Sequence, residues 1–296
     1  MKFKELKKTL YFYFYKFFGR KPKVLSKNET IRKILDEQLS ISRFGDGEIS
    51  LLLKTGGPKF QMNTPQLSKE LQECFKIRSP KLLICLSNID YRFPFKSPEA
   101  KHYRNYLFYT FRKAKKENIL DFKYTYGNTD ITRFYHPTLY KKTNFKETSH
   151  YINLLKKIWD KRNVILVEGK DTKLGIGNDL FHNTLSTKRI LCPSINAYGY
   201  IDIIIESIIK NYKPGALVLV ALGPTASVVS AKIAVQTDIQ IIDIGHVDVI
   251  YLWFINKAKE KKSIEYKYVN EASSQDIIKI DFDENVYKSE IIDVID

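Results

Sequence analysis

Short apolar runs alternate with stretches of helical periodicity along most of the chain. Between Thr30 and Leu39, for example, Ile31, Ile34 and Leu35 recur at the spacing of one helical face. Short, nearly continuous apolar runs are instead typical of strands that are buried on both faces. The predicted strands are residues 40–44, 81–86, 122–126, 163–167, 190–192, 216–222 and 240–244, and the predicted helices are residues 30–39, 66–75, 100–116, 178–185, 200–210 and 226–235.

This order of elements predicts the fold class. A strand buried on both faces belongs to a parallel sheet, and crossover helices cover the two faces of such a sheet. We therefore expect an α/β protein with an open, mostly parallel sheet and helices on both faces. The predicted α/β domain spans residues 26–260 as a single unit. Residues 261–296 mix charged and apolar positions, and we expect this C-terminal tail to pack on the domain.

An amphipathic helix is predicted for the basic, aromatic residues 1–25. Its apolar face consists of Phe3, Leu6, Leu10, Phe14 and Phe17, with lysines around it. One interpretation is attachment to the interface of an anionic membrane, at the inner face of the cell membrane. The other is a helix whose aromatic residues cover the protein's own core or a dimer partner. The segment is too short and too charged to span a bilayer, and it lacks the features of a secretory signal.

Composition narrows the classes of function. With 44% hydrophobic residues in 296, the chain can bury a substantial core. Cys74, Cys85 and Cys192 lie singly, which argues against a disulfide framework or a zinc site and predicts a cytoplasmic protein. The net charge of +16 favours anionic partners, namely nucleic acid, an acidic membrane or phosphorylated small molecules. Because the basic residues are spread along the chain, charge alone does not choose among these partners.

Polar loops follow several of the predicted strands. They are residues 45–48, 168–178, 223–225 and 245–248. In open α/β sheets, ligands bind outside the carboxyl ends of the strands. We therefore expect the four loops to meet at one edge of the sheet and to form a single active site.

The first of these loops is acidic in an otherwise basic chain. Asp46 and Glu48 are two residues apart, and an extended backbone would point both carboxylates to the same side. Two oxygen ligands on one side suit Mg²⁺ or Mn²⁺, which usually share their coordination shell with substrate phosphates. Gly45 allows a close approach to a ligand, and Arg43 offers donors to a phosphate oxygen. The alternative is a solvated Asp-Gly turn.

Two further loops are candidates for anion binding. In the turn Gly223-Pro224-Thr225, the free amides of the following helix and the Thr225 hydroxyl offer donors to a phosphate. Simple capping of the helix accounts for the same residues. The glycine-rich stretch from Lys173 through Gly175 to Asn178 precedes a predicted helix. Lys173 there is a candidate for contacting a diphosphate, although an ordinary strand-to-helix connection fits the pattern equally well.

Candidate acid–base residues follow the strand at 240–244. His246 and Asp248 share the spacing of the acidic turn, and either is a candidate general base. A hydrogen-bonded structural histidine is the alternative. Asp243 lies inside the apolar strand, where an unpaired carboxylate is costly, so we expect it to have a partner. Arg133 is either a phosphate contact or a surface residue.

Four motifs in order resemble the GT-D type glycosyltransferases, first catalogued as a bacterial domain of unknown function (DUF1792). They are R-F-G-D-G-E, V-E-G-K-D-T-K-L-G-I-G-N-D-L-F, A-L-G-P-T-A and D-I-G-H-V-D-V-I-Y-L-W-F, between residues 30 and 254. The resemblance implies a Rossmann-like fold and transfer of a sugar from a nucleotide-sugar donor. It also implies a divalent metal at a D-x-E motif, which is Asp46-Gly47-Glu48 here.

The same resemblance assigns roles to individual loops. The segments around Lys173 and Gly223-Pro224-Thr225 match those that line the nucleotide pocket in the family. The family pattern has proline after the arginine that corresponds to Arg133, whereas Phe134 stands here. The implied enzyme uses Mn²⁺ or Mg²⁺ and transfers a hexose from a UDP-sugar. Its acceptor would be a glycan, glycoprotein or lipid-linked oligosaccharide of the bacterial cell surface.

Two other functions fit parts of the pattern. A metal-dependent nuclease or nucleotidyltransferase would use the acidic pair and the positive field, but it would need a third carboxylate and a localised basic groove. A non-catalytic module that holds a nucleotide or an anionic glycan is the second alternative. We do not expect nucleic acid as a partner, and the sequence leaves the donor sugar, the acceptor, the stereochemical outcome and the oligomeric state open.

Overall fold

A parallel sheet forms the centre of the molecule. The computed structural model describes residues 3–88 and 96–296, and within these residues the sheet has nine strands. The strands are β1 (Lys23–Val24), β2 (Ser40–Phe44), β3 (Leu82–Leu86), β4 (Thr125–Asn128), β5 (Asn163–Gly169), β6 (Ser186–Cys192), β7 (Leu217–Ala221), β8 (Ile241–Asp243) and, after the separate pair β9 (Ser263–Ile264) and β10 (Ile277–Ile278), β11 (Ile291–Val294). Their order is β1-β4-β3-β2-β8-β7-β5-β6-β11, and neighbours run parallel.

Helices cover both faces of this sheet. They are α1 (Phe3–Phe18), α2 (Lys27–Glu37), α3 (Asp46–Leu52), α4 (Pro65–Lys76), α5 (Pro98–Asn105), α6 (Arg112–Lys116), α7 (Phe145–Lys156), α8 (Ile201–Asn211), α9 (Pro224–Gln236), α10 (Val247–Ile255) and α11 (Glu284–Glu290). A π-helical segment, Tyr106–Phe111, joins α5 to α6. Short 3₁₀ turns span Thr129–Thr132, Pro137–Lys142 and Ala197–Tyr200.

The apolar side chains form two buried clusters, one on each face of the sheet. One cluster contains Phe44, Phe75 and Tyr126, whose rings stack or meet edge to face. The other contains Trp159, which follows α7, and Trp253, which lies on α10; both side chains are buried. Two buried faces require strands that are apolar on both sides, which is the pattern seen in the sequence. The predicted open, mostly parallel α/β fold is therefore confirmed.

One predicted helix is wrong. Residues 178–185 form a series of turns, because tertiary partners capture the backbone groups that a helix would use. The Asn178 side-chain oxygen accepts a hydrogen bond from the Leu180 amide (3.0 Å), and such local bonds compete with helix formation. The Leu180 carbonyl accepts from the Trp159 indole (2.9 Å), and the Asn183 carbonyl accepts from the Lys161 amide (2.8 Å).

The C-terminal residues extend the sheet. β11 pairs in parallel with β6 at the sheet edge, and α11 precedes it. A buried ion-pair network fixes this arrangement: the Arg189 guanidinium bonds Glu168 (2.5 Å) in the core and Glu290 (2.6 Å) in α11. The C-terminal tail, which has no clear hydrophobic periodicity in the sequence, is thus attached through Glu290 to Arg189 of β6.

The helix α1 forms where the periodicity predicts it, but it turns its apolar face outward. Tyr11, Tyr15 and Lys8 contact the rest of the protein, whereas the face with Phe3, Leu6, Leu10, Phe14 and Phe17 is exposed. The interpretation that the aromatic residues of this helix cover the protein's own core therefore holds for Tyr11, Phe12 and Tyr15, which pack on it, and fails for Phe3, Phe14 and Phe17. Within residues 3–88 and 96–296, none of the helices has the length and hydrophobicity to cross a bilayer.

Candidate active site

A cavity of about 760 Å³ opens at the carboxyl edge of the sheet. The loops that follow β2 through β8 all contribute to its wall, as the parallel arrangement requires. Four stretches bring most of the polar groups to it: residues 43–50, 129–136, 243–248 and 261–271. The last stretch belongs to the C-terminal tail, for which the sequence suggested no function.

The acidic turn is helical rather than extended. Gly45 follows β2 and caps α3, which begins at Asp46. Residues two apart on a helix point about 200° apart, so Asp46 and Glu48 do not share a side. Glu48 folds back and accepts a hydrogen bond from the Gly45 amide (2.9 Å), as a residue at the third position of a helix commonly does. The expected side-by-side arrangement of the two carboxylates is therefore wrong.

The charge states of these two carboxylates differ. Burial, with the negative charges of Asp243 and Asp46, raises the pKa of Glu48 to about 7. Burial also acts to raise the pKa of Asp46, but the hydrogen bond and charge of His102 outweigh it and lower the pKa below its usual value. The His102 ring nitrogen Nε2 lies 2.6 Å from Asp46 Oδ2, and this contact raises the pKa of His102. Asp46 and His102 therefore form a hydrogen-bonded pair at the cavity.

His102 was not among the residues that the sequence singled out. It lies on α5, 56 residues away from Asp46 in the chain, and no spacing rule connects the two. The same helix and the π-helical segment also bring Tyr103 and Tyr106 to the cavity wall. Only the packing of α5 beside α3 reveals that His102 faces the acidic turn.

Arg43 and Asp243 form a buried ion pair under the cavity. Arg43 Nη2 donates to Asp243 Oδ1 (3.0 Å), so the partner that the sequence required for Asp243 is Arg43. Arg43 Nη1 donates to the Thr129 carbonyl (3.1 Å) and the Thr132 hydroxyl (2.6 Å). These bonds occupy the guanidinium ends that were expected to hold phosphate. Gly245, at φ +45°, is required here because a Cβ would lie 2.0 Å from Arg43 Nη2.

The turn before α9 contributes only its glycine to the cavity. Gly223, at φ +54°, lines the wall, and a Cβ on it would lie 2.5 Å from the Phe60 ring. Pro224 begins the helix, and the Thr225 hydroxyl donates to the Gln61 side chain (3.3 Å) in the interior. Neither Pro224 nor Thr225 is among the cavity residues, so the expectation that the Thr225 hydroxyl points to a ligand does not match its position.

The glycine-rich loop brings Leu174 to the cavity wall, but not the residues that were predicted to bind a diphosphate. Lys173 Nζ donates to the Tyr266 carbonyl (2.9 Å), while the Gly175 amide (2.9 Å) and the Asn178 side chain (2.7 Å) donate to Asp248. None of Lys173, Gly175 and Asn178 lines the cavity. The predicted diphosphate contact from Lys173 is replaced by a bond that ties the loop to the C-terminal tail.

Asp248 and His246, the two predicted base candidates, have different environments. Both oxygens of the buried Asp248 carboxylate are used, because Oδ1 accepts from the loop and Oδ2 accepts from the buried Lys267 ammonium. Asp248 therefore fixes the loop and the tail. His246 lines the cavity, and burial together with the charge of Arg133 lowers its pKa to about 4. His246 is neutral at pH 7.

The tail and the 129–133 turn supply a second charged group. Arg133 Nη2 lies 3.4 Å from Glu271 Oε1, and Lys261 Nζ lies 3.1 Å from Glu271 Oε2. All three side chains line the cavity. Burial acts to raise the pKa of Glu271, but the charges of Arg133 and Lys261 outweigh it and lower the pKa to about 2. Asp130 also lines the cavity and acts on Arg133, so this group contains two cations and two carboxylates.

The lowered pKa of Glu271 predicts how the stability of the fold depends on pH. Because its folded-state pKa lies below the ordinary 4.5, its contribution is present above that pH and is lost as pH falls toward about 2. We expect Glu271→Gln to lower the free energy of unfolding by about 1–2 kcal/mol at pH 7. Urea denaturation at several pH values should show wild type losing stability more steeply than the variant in this acidic window. If the free energy of unfolding depends on pH in the same way in both proteins, the lowered pKa of Glu271 is contradicted.

The fold and the cavity define a class of protein. A parallel α/β sheet with charged loops around an open cavity at its carboxyl edge is the architecture of α/β proteins that bind ligands at that edge. Within that class, the family model described as the glycosyltransferase GT-D fold matches residues 41–272. The chain therefore belongs to the GT-D glycosyltransferase family.

Individual relatives agree with this family. The chain is 32% identical over 279 residues to a probable glycosyl transferase Gly of Streptococcus gordonii, covering 92% of this chain and 39% of that protein. It is 32% identical over 278 residues to glycosyltransferase GlyD of Streptococcus pneumoniae serotype 4, covering 90% of this chain and 31% of that protein. The chain thus spans about a third of the length of these two relatives.

Solved structures agree as well. A glycosyltransferase (DUF1792) from Streptococcus sanguinis is similar with a TM-score of 0.78 and 30% identity, over 93% of this chain and 100% of that one. A structure of the conserved domain of unknown function 1792, described as a distinct glycosyltransferase fold, gives a TM-score of 0.76 and 32% identity, over 93% and 96% of the two chains.

Proposed function

We propose that the protein is a metal-dependent hexosyltransferase that uses a nucleotide-sugar, a UDP-hexose, as donor. The acceptor would be a glycan, a glycoprotein or a lipid-linked oligosaccharide of a bacterial cell surface, glycosylated in the cytoplasm. Family membership supports a nucleotide-sugar donor. The buried, free thiols of Cys74, Cys85 and Cys192 are compatible with a reducing compartment.

The observation that carries the proposal is the position of Asp46. Its carboxylate lines the cavity, is 47% exposed, and contacts the His102 ring. Family resemblance points to this residue and to Glu48 as the metal ligands. Both lie in the first turn of α3, where the positive end of the helix also favours bound anions.

The residues around Asp46 fit one kind of metal site. In the described part of the chain, no three His, Cys, Asp or Glu side chains are grouped as a metal site by themselves. A Mg²⁺-like ion needs only one or two protein carboxylates when water and substrate phosphates complete its shell. Asp46 would hold such an ion. Glu48 is turned toward the Gly45 amide and away from the side of Asp46, so it would join the shell only after leaving that hydrogen bond. When bound, the ion would stabilise the negative charge of the leaving diphosphate.

Other side chains of the cavity have roles in this proposal. His102, Arg133 and Lys261 are cavity side chains that would contact and orient the donor diphosphate. The neutral His246 is the remaining candidate for accepting the proton of the acceptor hydroxyl. Arg43, Gly45 and Gly223 would shape the wall. Asp248 would hold the loop 173–178 in place and would not be the base.

A thermal-shift screen tests the donor and the metal. UDP-, GDP-, CMP- and dTDP-sugars would be compared with and without Mn²⁺, with donor hydrolysis measured in parallel. A ligand at 100 times its Kd stabilises the native state by about 2.7 kcal/mol, and we expect this only for a UDP-hexose with the metal. An equal shift without metal would overturn metal dependence, and preference for another nucleotide would overturn the donor.

The two alternative functions are less well supported. A nuclease or nucleotidyltransferase needs a third carboxylate beside Asp46 and Glu48, and Asp243, whose charge acts on Glu48, is engaged by Arg43. A non-catalytic binding module would show the thermal shift without any turnover. The parallel hydrolysis measurement therefore separates that module from an enzyme.

A further inference from the structure

The outward side of α1 is an exposed apolar surface. Seven large hydrophobic residues on it are 41–78% exposed: Phe3, Leu6, Leu10, Tyr13, Phe14, Phe17 and Phe18. We call this set the α1 outer face. A single exposed hydrophobic residue is ordinary, but seven on one 16-residue helix form a continuous patch. Such a patch marks a surface that contacts something apolar.

The opposite side of the same helix is firmly packed. The Tyr15 ring meets the Phe111 ring edge to face at 5.4 Å, and the Tyr11 ring meets the Phe108 ring at 5.6 Å. Tyr15 is 1% exposed. The orientation of α1 is therefore fixed by its inward aromatic residues, and the α1 outer face is left at the surface by the fold itself.

Positive charge surrounds the apolar patch. Lys4 and Lys7 are exposed on the helix, and Arg20, Lys21 and Lys23 follow at its end. Glu5 is the one acidic residue between positions 3 and 23, and it is paired with Lys8 (2.7 Å). The Lys7 ammonium lies 4.4 Å from the centre of the Phe3 ring, so cation and aromatic ring are presented together.

We propose that the α1 outer face docks on the interface of an anionic membrane. Its aromatic and leucine side chains would enter the headgroup and upper acyl region, and its lysines and arginines would contact lipid phosphates. A second copy of the chain is a poorer occupant, because it would bring two equally basic surfaces together. An anionic bilayer would bury the apolar patch and also neutralise the positive charge around it.

Docking in this way would hold the cavity close to the membrane. α1 packs on α5 and the π-helical segment, and those same elements bring His102, Tyr103 and Tyr106 to the cavity wall. The proposal concerns location and does not depend on the proposed sugar transfer. It would place the cavity within reach of substrates that are anchored in the lipid.

Vesicle co-sedimentation tests the proposal with the full chain. Vesicles of neutral phosphatidylcholine are compared with vesicles that also contain a third of phosphatidylglycerol. We expect binding to the anionic vesicles to be at least about 10-fold tighter and to weaken with salt. The variant Phe14→Ser/Phe17→Ser/Phe18→Ser should lose at least about 10-fold in affinity, and Lys4→Glu/Lys7→Glu/Lys21→Glu should remove the preference for anionic lipid.

A matched control changes exposed apolar residues elsewhere. Leu185→Ser/Ile277→Ser/Val286→Ser alters positions that are 53–68% exposed, and it should bind vesicles like the wild type. All variants should keep the wild-type melting temperature and the wild-type hydrolysis of soluble donor. Failure of the wild type to bind anionic vesicles, or unchanged binding by the phenylalanine variant, would overturn the proposal. So would a dimer in sedimentation that this variant abolishes without any vesicle binding.

Discussion

Asp46→Asn is expected to lower donor turnover by a factor of about 100 to 1,000, the loss typical when one group that stabilises developing charge is removed. The proposed function depends on Asp46 because its carboxylate lies open to the cavity and would hold the ion that neutralises the leaving diphosphate. An amide of the same shape keeps the side-chain volume but removes the charge. Hydrolysis of a UDP-hexose in the presence of Mn²⁺ measures the effect.

The same substitution should leave the fold intact. The contact between Asp46 and His102 is about half exposed, so losing it lowers the free energy of unfolding by about 1 kcal/mol or less. The matched control is Asp202→Asn, because Asp202 also lies in the first turn of a helix, α8, but is exposed and outside the cavity. It should retain full turnover. Turnover of Asp46→Asn at the wild-type rate would rule out the proposed role, whatever the stability of the variant.

The sheet and its functional edge were predictable because they follow from burial and topology. Strands such as Leu217–Ala221 are apolar at every position, and so short a continuous apolar run is typical of a parallel sheet that is covered on both faces. Once the strands are parallel, their carboxyl ends must lie at one edge. The pairing of Asp243 was predictable for a similar reason, since a carboxylate inside such a strand needs a partner.

The geometry of single side chains was less predictable, because it depends on partners far away in the chain. The acidic turn is helical since Gly45 caps α3 and Glu48 bonds back to it, which excludes the extended spacing. His102 and Glu271 reach the cavity only through the packing of α5 and the tail. The helix expected at 178–185 does not form because Asn178 bonds to the Leu180 amide and distant groups such as the Trp159 indole take up the loop carbonyls.

Asp248→Ala is expected to be chiefly a stability variant. Lys267 Nζ contacts Asp248 Oδ2, and the two side chains are 0% and 2% exposed. Removing one partner of a buried ion pair leaves an uncompensated charge, at a cost of about 3–5 kcal/mol. The Gly175 amide and the Asn178 side chain lose their acceptor at the same time. Urea denaturation measures the loss of unfolding free energy, and limited proteolysis should then cut within the released loop 173–178.

A double-variant cycle distinguishes this structural role from that of a general base. Replacing a buried ion pair by apolar residues of similar size is often neutral, whereas breaking it is costly. We therefore expect Asp248→Leu/Lys267→Met to recover at least about half of the stability that Asp248→Leu loses, because the buried ammonium is gone. If Asp248 only positions the loop, the double variant should also recover donor turnover relative to Asp248→Leu. If Asp248 is the base, turnover stays absent in both variants even though the double variant recovers stability.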